Sequence, residues 1–156
     1  MIQKTIPKII FTLLIILSLI GCDKWNTSDN PSTQTPNYLI KKWKYADILA
    51  IAPGYPLTSI YTSLETCKRD NFWEFKSDAT FTIGEGLTKC KPTDPDAAST
   101  GTWVLFNSNT QMTMTETGKP ARNVTILELT ANSLKLNYSD SIQGLPATIT
   151  AILIPY

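Results

Sequence analysis

The chain has 156 residues, which is enough for one folded domain. Its 14 Lys and Arg residues and 13 Asp and Glu residues give a formal net charge of +1, too little to attract nucleic acid. It contains no histidine, which excludes Ser-His-Asp and Cys-His catalytic systems and imidazole ligands for metals. We therefore expect a protein that is not an enzyme, that uses no cofactor or metal, and that does not have nucleic acid as a partner.

Residues 1–21 have the pattern of a signal peptide. Lys4 and Lys8 form a short positive region, and residues 9–20 are apolar except for one Thr and one Ser. A helix of this length spans about 18 Å, less than the roughly 30 Å hydrocarbon core of a bilayer. The stretch therefore predicts an export signal rather than a membrane-spanning helix.

Cys22 ends a motif, Leu19-Ile20-Gly21-Cys22, that resembles the lipobox of bacterial lipoproteins. The resemblance implies cleavage after Gly21, attachment of a diacylglycerol to the Cys22 thiol, and acylation of the new amine by a fatty acid such as palmitate. Two or three acyl chains hold a protein firmly to a membrane, whereas one chain binds only marginally. We expect a protein anchored in the cell envelope by this lipid, at the periplasmic or surface face of the outer membrane.

Residues 22–38 are interpreted as the lipidated cysteine followed by a flexible tether. Between residues 23 and 37 polar residues and prolines dominate, and Trp25 is the only large apolar side chain. Such a segment buries too little apolar surface to offset its chain entropy. As a flexible coil its r.m.s. span is about 20 Å. The folded domain is then expected over residues 39–156.

The clearest hairpin signal lies between residues 72 and 83. Two strand patterns, 72–75 and 80–83, flank a polar turn. If residues 77–80 form a four-residue loop, Lys76 lies opposite Phe81.

Two cysteines lie outside this hairpin, one on each side. Lipidation of Cys22 leaves Cys67 and Cys90 as a pair in an oxidising, exported context. In the register that sets Lys76 opposite Phe81, the two thiols also lie opposite each other. The sequence therefore predicts a Cys67–Cys90 disulfide, which constrains the unfolded chain by roughly 3 kcal/mol.

After residue 38 apolar residues alternate with a period of two almost throughout. The predicted strands are 39–47, 72–75, 80–83, 103–105, 112–114, 124–129, 134–138 and 147–154. A change of phase at Leu127 indicates a bulge in the sixth strand. The inward face of the eighth stays open, because Ile152 and Ile154 compete with Ile149 and Leu153. Eight short strands joined by hairpins imply a closed antiparallel barrel or a two-sheet sandwich.

One segment departs from the period of two. Leu57, Ile60, Tyr61 and Leu64 have helical spacing, which predicts one short helix near 57–66 that packs over one end of the barrel. A helix this short is marginal alone, so packing and the disulfide must hold it.

Several motifs together resemble the lipocalin-like domains of small bacterial lipoproteins. They are Trp43, Cys67, the hairpin Trp73-x-Phe75-Lys76-Ser77-Asp78-Ala79-Thr80-Phe81, Cys90 and Gly101-Thr102-Trp103. The resemblance covers about 39–156 and implies an all-β fold, an eight-stranded antiparallel up-and-down barrel carried on a lipid anchor with one disulfide.

The aromatic side chains and two methionines of the strands are the candidate ligand-binding residues. They are Trp43, Tyr45, Trp73, Phe75, Phe81, Trp103, Met112, Met114 and Tyr138. An eight-stranded barrel is just wide enough to be filled by side chains or to hold one small ligand. Packing is the interpretation that we favour for them.

Two functions are consistent with these patterns. The first is a binding module for a small apolar or amphipathic molecule, which requires an interior pocket that reaches solvent near residues 57–64. The second is a solid barrel that docks onto an envelope protein partner, for which Val104 and Phe106 are the candidate apolar patch.

Overall fold

The structure is a computed structural model that describes residues 37–156. The predicted signal peptide, the lipidation site Cys22 and most of the predicted tether lie outside these residues. The strands are β1 (Lys42–Ile51), β2 (Thr58–Ser59), β3 (Phe72–Phe75), β4 (Thr80–Gly84), β5 (Ala97–Phe106), β6 (Gln111–Glu116), β7 (Arg122–Leu129), β8 (Leu134–Ile142) and β9 (Leu145–Pro155).

The strands close into an antiparallel up-and-down barrel. Strands β3 to β8 each pair with the next strand in the chain, and β1 pairs with both β3 and β9. These eight strands form the barrel, and the two-residue strand β2 pairs only with the end of β1. The β1–β9 pairing leaves no open sheet edge, which confirms the barrel and excludes the sandwich.

Strand pairing decides two questions: whether β7 contains the predicted bulge, and which face of β9 is buried. The β7–β8 register shifts between Ile126 and Glu128, which confirms the bulge predicted at Leu127. A second shift lies in β1, between Tyr45 and Asp47. In β9 the buried residues are Ala147, Ile149, Ala151 and Leu153.

The register of the β3–β4 hairpin differs by one residue from the prediction. Phe75, not Lys76, pairs with Phe81. The backbone N–H of Lys76 donates to the carbonyl of Thr80, and the N–H of Ala79 donates to the carbonyl of Lys76. Ala79 adopts a left-handed conformation with a φ of 62°. This residue adds a bulge at the turn, so the loop has three residues rather than four.

Replacing Ala79 by glycine is expected to raise the free energy of unfolding by about 0.5–1 kcal/mol. A side chain disfavours the left-handed region by about 1–2 kcal/mol, and the backbone entropy of glycine offsets part of that gain. Urea unfolding at equilibrium measures the change. In the matched control Ala97→Gly, where Ala97 lies in β5, is paired with Gly84 and has no positive φ, we expect the opposite sign. A destabilised Ala79→Gly variant would contradict the argument.

The predicted disulfide is confirmed, despite the error in register. Cys67 and Cys90 are bonded, with their Cα atoms 5.1 Å apart. Cys67 lies in a one-turn helix, α1 (Thr66–Arg69), and Cys90 lies in the β4–β5 loop. The bridge therefore ties together two long loops at the same end of the barrel.

The short helix predicted near 57–66 is present only as two separate single turns, not as one continuous helix. The segment instead contains β2, a 3-10 turn at Tyr61–Ser63 and the start of α1. The hydroxyl of Ser59 donates to Asp47 at 2.6 Å, and the backbone N–H of Ile60 donates to the carbonyl of Ile48 at 2.8 Å. Pairing with β1 therefore overrides the helical spacing of the apolar residues.

The barrel has a closed end and an open end. At the closed end, residues 37–39 form a helical turn, and Leu39 and Trp43 are fully buried. The open end carries the loops 52–71, 85–96, 117–121 and 143–144. Most of the interior is filled by one apolar cluster: Leu39, Trp43, Trp73, Phe75, Phe81, Trp103, Met112, Met114, Val124, Ile126, Leu134, Leu136, Ala151 and Leu153.

Candidate functional site

A second, smaller apolar cluster lies toward the open end. It consists of Ile48, Ala50, Ala147 and Ile149. Tyr45 and Tyr138 pack against both clusters and separate them. Ile60, Tyr61 and Leu64 of the loop 52–71 pack against this cluster and cover part of the open end, while a cavity remains at the rim.

A pocket of about 290 Å³ lies at this unfilled rim. Its lining residues are Ala50, Ala52, Tyr55, Pro56, Thr58, Ile60, Ile142, Gln143 and Leu145. Most of these side chains are apolar, and the lining contains no charged residue. We call this the mouth pocket; it is the candidate ligand site.

The β6–β7 side of the mouth carries an ionic cluster centred on Glu116, which is only 5% exposed. Its carboxylate accepts hydrogen bonds from Ser99 at 2.9 Å, from Lys119 at 2.6 Å and from Arg122. The Arg122 guanidinium also donates to Asp140 at 3.3 Å. A cavity of about 240 Å³ opens beside this cluster.

Arg122 also contacts the tyrosine layer that separates the two apolar clusters. Its guanidinium lies 4.9 Å from the centre of the Tyr138 ring, a cation–π contact. Tyr45 in turn accepts a 2.7 Å hydrogen bond from the indole N–H of Trp73. The ionic cluster is therefore connected to the barrel core through aromatic rings.

The ionisation states of these groups follow from burial and from their partners. Burial by itself raises the pKa of the Glu116 carboxyl, but hydrogen bonds from Lys119 and Ser99 and nearby positive charges outweigh it, so this pKa is lowered. Burial raises the pKa of Tyr45 to about 12, although the hydrogen bond from Trp73 lowers it. Burial likewise raises the pKa of Tyr138. At neutral pH the mouth thus contains an ionised carboxylate above two neutral phenols.

Replacing Glu116 by glutamine is expected to lower the free energy of unfolding at pH 7 by about 1–3 kcal/mol, because Arg122 and Lys119 lose a buried charged partner. Since the folded pKa is lowered, the stabilisation from Glu116 is present above the unfolded pKa of about 4.3 and is lost as the pH falls through the folded value. Wild type and variant should therefore converge in acid, which urea unfolding at neutral and acidic pH measures.

The matched control for this change is Glu128→Gln. Glu128 pairs with Lys135 at 2.5 Å, but its side chain is 35% exposed. A surface pair of this kind contributes about 0–1 kcal/mol. An equal loss in the two variants, or a Glu116→Gln effect that persists in acid, would contradict the role assigned to the buried carboxylate.

Comparison with protein families gives a match to the lipocalin-like domain over residues 24–136. The chain belongs to the lipocalin-like domain family. A search of curated proteins finds no match. The family match ends within β8, so the strand that closes this lipocalin-like barrel, β9, lies beyond it. Among residues 37–156 no helix is long and apolar enough to cross a membrane.

The nine ligand-binding candidates of the lipocalin-like barrel lie mostly in its packed interior. Seven are buried in the larger cluster: Trp43, Trp73, Phe75, Phe81, Trp103, Met112 and Met114. Tyr45 and Tyr138 are partly buried beneath the mouth. Their rings pack edge-to-face, tilted or stacked; Trp73 and Phe81, for example, stack at 6.4 Å. Contact between these nine residues and a ligand stays a prediction.

Sequence reasoning did not identify the residues that line the mouth pocket. The expectation of an opening near 57–64 agrees with two of them, Thr58 and Ile60. The others come from the end of β1, from the loop that follows it and from the β8–β9 turn, where no local pattern marks a ligand site. Only pairing of β1 with β9 brings these segments together.

Three side chains at the open end, those of Glu65, Cys67 and Cys90, lie close together but do not form a metal site. Glu65 lies within 4.8 Å of both sulfurs, those of Cys67 and Cys90. Both sulfurs are bonded in the disulfide, so they offer no thiolate to a metal.

Proposed function

We propose that this protein is a non-enzymatic lipoprotein of the cell envelope whose lipocalin-like barrel binds a small apolar or amphipathic molecule at its open end. The mouth pocket carries the proposal, because its lining is mostly apolar and includes the polar groups of Tyr55, Thr58 and Gln143. Ligand sites are typically apolar concavities with a few polar groups at one side.

The dimensions of the pocket restrict the size of the ligand. Its volume of about 290 Å³ lies at the lower limit of ligand pockets, which are about 300–1,000 Å³. The larger apolar cluster fills the barrel below the tyrosines, so a ligand sits near the rim. An apolar body facing Ile60 and Ile142, with a polar group toward Gln143, fits this lining.

The cysteine pairing supports the proposed lipid anchor. The chain has three cysteines, and two of them form the disulfide. The third, Cys22, stands at the end of the lipobox-like motif and is the acceptor that we assign to the lipid. Membrane attachment at this position leaves the barrel free to bind its ligand outside the bilayer.

Native mass spectrometry of the full chain purified from its own host tests the binding proposal. We expect a reproducible bound small molecule in the wild type and its loss in Ala52→Trp, where the indole fills the mouth pocket. Val104→Trp is the control, since Val104 is 62% exposed on the outer face of β5. An empty wild-type barrel, or a ligand retained in Ala52→Trp, would overturn the proposed site.

The second candidate function is docking onto an envelope protein partner by a solid barrel. It is favoured by the filled interior and by Val104 and Phe106, which are 62% and 36% exposed on neighbouring outward positions of β5. An empty barrel together with a protein crosslink that Val104→Asp abolishes would support this function instead.

A further inference from the structure

Two segments of the barrel, 48–64 and 141–156, contain no charged side chain, although residues 37–156 contain 22. They lie side by side, because β1 pairs with β9. Six of the ten large hydrophobic side chains identified as exposed belong to them: Ile51, Tyr55, Leu57, Leu145, Ile154 and Tyr156. Apolar exposure is thus concentrated on one uncharged sector of the barrel.

Four of these residues lie together on one side of the open end, and we call them the mouth patch. They are Ile51, Tyr55, Leu57 and Leu145, with exposed fractions of 46%, 63%, 59% and 48%. Every residue that lines the mouth pocket also belongs to the two uncharged segments. The pocket therefore opens within the uncharged sector.

The rest of the open end is rich in charged side chains. The loops 65–70 and 85–96 carry nine charged side chains, and the ionic cluster of Glu116 and Arg122 follows on the β6–β7 side. A third uncharged run, 97–115, exposes fewer large apolar side chains, Val104 and Phe106, and threonines occupy about half of its outward strand positions. The open end is therefore apolar on one side and ionic on the other.

A lipid surface fits the mouth patch. The patch itself has no charge that must leave water when it enters the interface of a bilayer, and the cost of burying charge is what usually prevents such contact. Asp140, which borders Ile51 and Tyr55, is paired with Arg122. The ring of Tyr55 combines an apolar body with a polar tip, which is the chemistry that favours the headgroup region.

The length of the chain before the barrel is sufficient for this contact. Residue 37 lies at the closed end, and β1 spans ten residues toward the open end, about 33 Å along the strand. The fifteen residues from Cys22 to residue 37 reach at most about 50 Å. An anchor at Cys22 therefore permits the open end to reach the same membrane.

We propose that the mouth patch docks on the surface of the bilayer and thereby opens the mouth pocket toward lipid. An apolar ligand then passes between the membrane and the barrel without crossing water. The ionic side of the open end stays in solution or among the headgroups. This inference rests on the lipid anchor of the proposed function.

Quenching of a fluorescent probe by lipids tests the docking. The full chain, with an NBD probe on Leu57→Cys, is reconstituted into phosphatidylcholine vesicles containing doxyl-labelled lipid. The control carries the probe on Val104→Cys, because Val104 is 62% exposed against 59% for Leu57 and also lies in an uncharged run. We expect several-fold stronger quenching at position 57, and a loss of this difference when Tyr55→Asp is added.

The other outcomes overturn the proposal in distinguishable ways. Equal quenching at the two positions, in protein that still floats with the vesicles, removes the docking and leaves the anchor intact. A blue shift at position 57 without lipid quenching, lost on dilution of the protein, assigns the patch to contact between two copies of the chain. If the wild-type chain does not float, or Cys22→Ser floats as well as wild type, the anchor and the docking inference both fail.

Discussion

Replacing Trp43 by alanine is expected to lower the free energy of unfolding by about 3–5 kcal/mol, because a fully buried aromatic side chain leaves a cavity that the barrel closes only in part. The indole N–H donates to the carbonyl of Leu39 at 3.0 Å, and the Lys41 ammonium lies 5.0 Å from the ring centre. The substitution therefore removes the packing of the closed end and the contacts that hold residues 37–41 against it. Domains of this size are stable by about 5–15 kcal/mol in total, so a large fraction of the native stability is lost.

The matched control is Tyr55→Ala, because Tyr55 is 63% exposed in the loop after β1. A surface substitution of this kind changes stability by about 0.5 kcal/mol or less. Urea unfolding followed by tryptophan fluorescence and by circular dichroism measures both variants. A loss below about 1 kcal/mol for Trp43→Ala would show that the closed end does not depend on this side chain.

Removing the disulfide with the double substitution Cys67→Ser and Cys90→Ser is expected to lower the free energy of unfolding by about 3 kcal/mol. The bridge closes a loop with a sequence separation of 23, which restricts the unfolded chain. In the folded protein it ties α1 to the β4–β5 loop, and no strand pairs with either segment. We therefore expect faster amide exchange in 65–71 and 85–96, with the strands still protected.

The control for this second prediction is Cys22→Ser, which leaves the disulfide intact. It should unfold like the wild type in urea, and reduction by dithiothreitol should destabilise the wild type and Cys22→Ser equally while leaving the double variant unchanged. An unchanged midpoint after reduction would mean that the bridge makes no contribution, so that the loops at the open end are held by other contacts.

The strands and the core could be predicted because alternation with a period of two depends on local sequence. One face of each strand must be apolar to be buried, so Trp43, Trp73, Phe75 and Phe81 mark the interior without any knowledge of the fold. The bulge at Leu127 was predictable for the same reason, since an extra residue shifts the phase of the apolar positions.

Local pattern was not sufficient where two structures fit it equally well. Leu57, Ile60 and Leu64 have helical spacing, but contacts with Asp47 and Ile48 hold part of this segment against β1. The hairpin register depended on the left-handed conformation of Ala79. The sequence does not indicate this conformation, because glycine, which has no side chain, is the residue that usually adopts it. In β9 both faces are apolar, so only its neighbours decide which one is buried.

The sequence by itself determined the strand periodicity, the cysteine pair, the absence of histidine chemistry and the pattern of the first 22 residues. Only the tertiary structure decided where the barrel is filled and where it is open. The mouth pocket and the ionic cluster are assembled from segments far apart in the chain, such as Ala50 with Leu145 and Glu116 with Asp140 through Arg122. Such sites depend on which residues face each other across the closed barrel, and closure by β1 and β9 is a long-range pairing that no local pattern encodes.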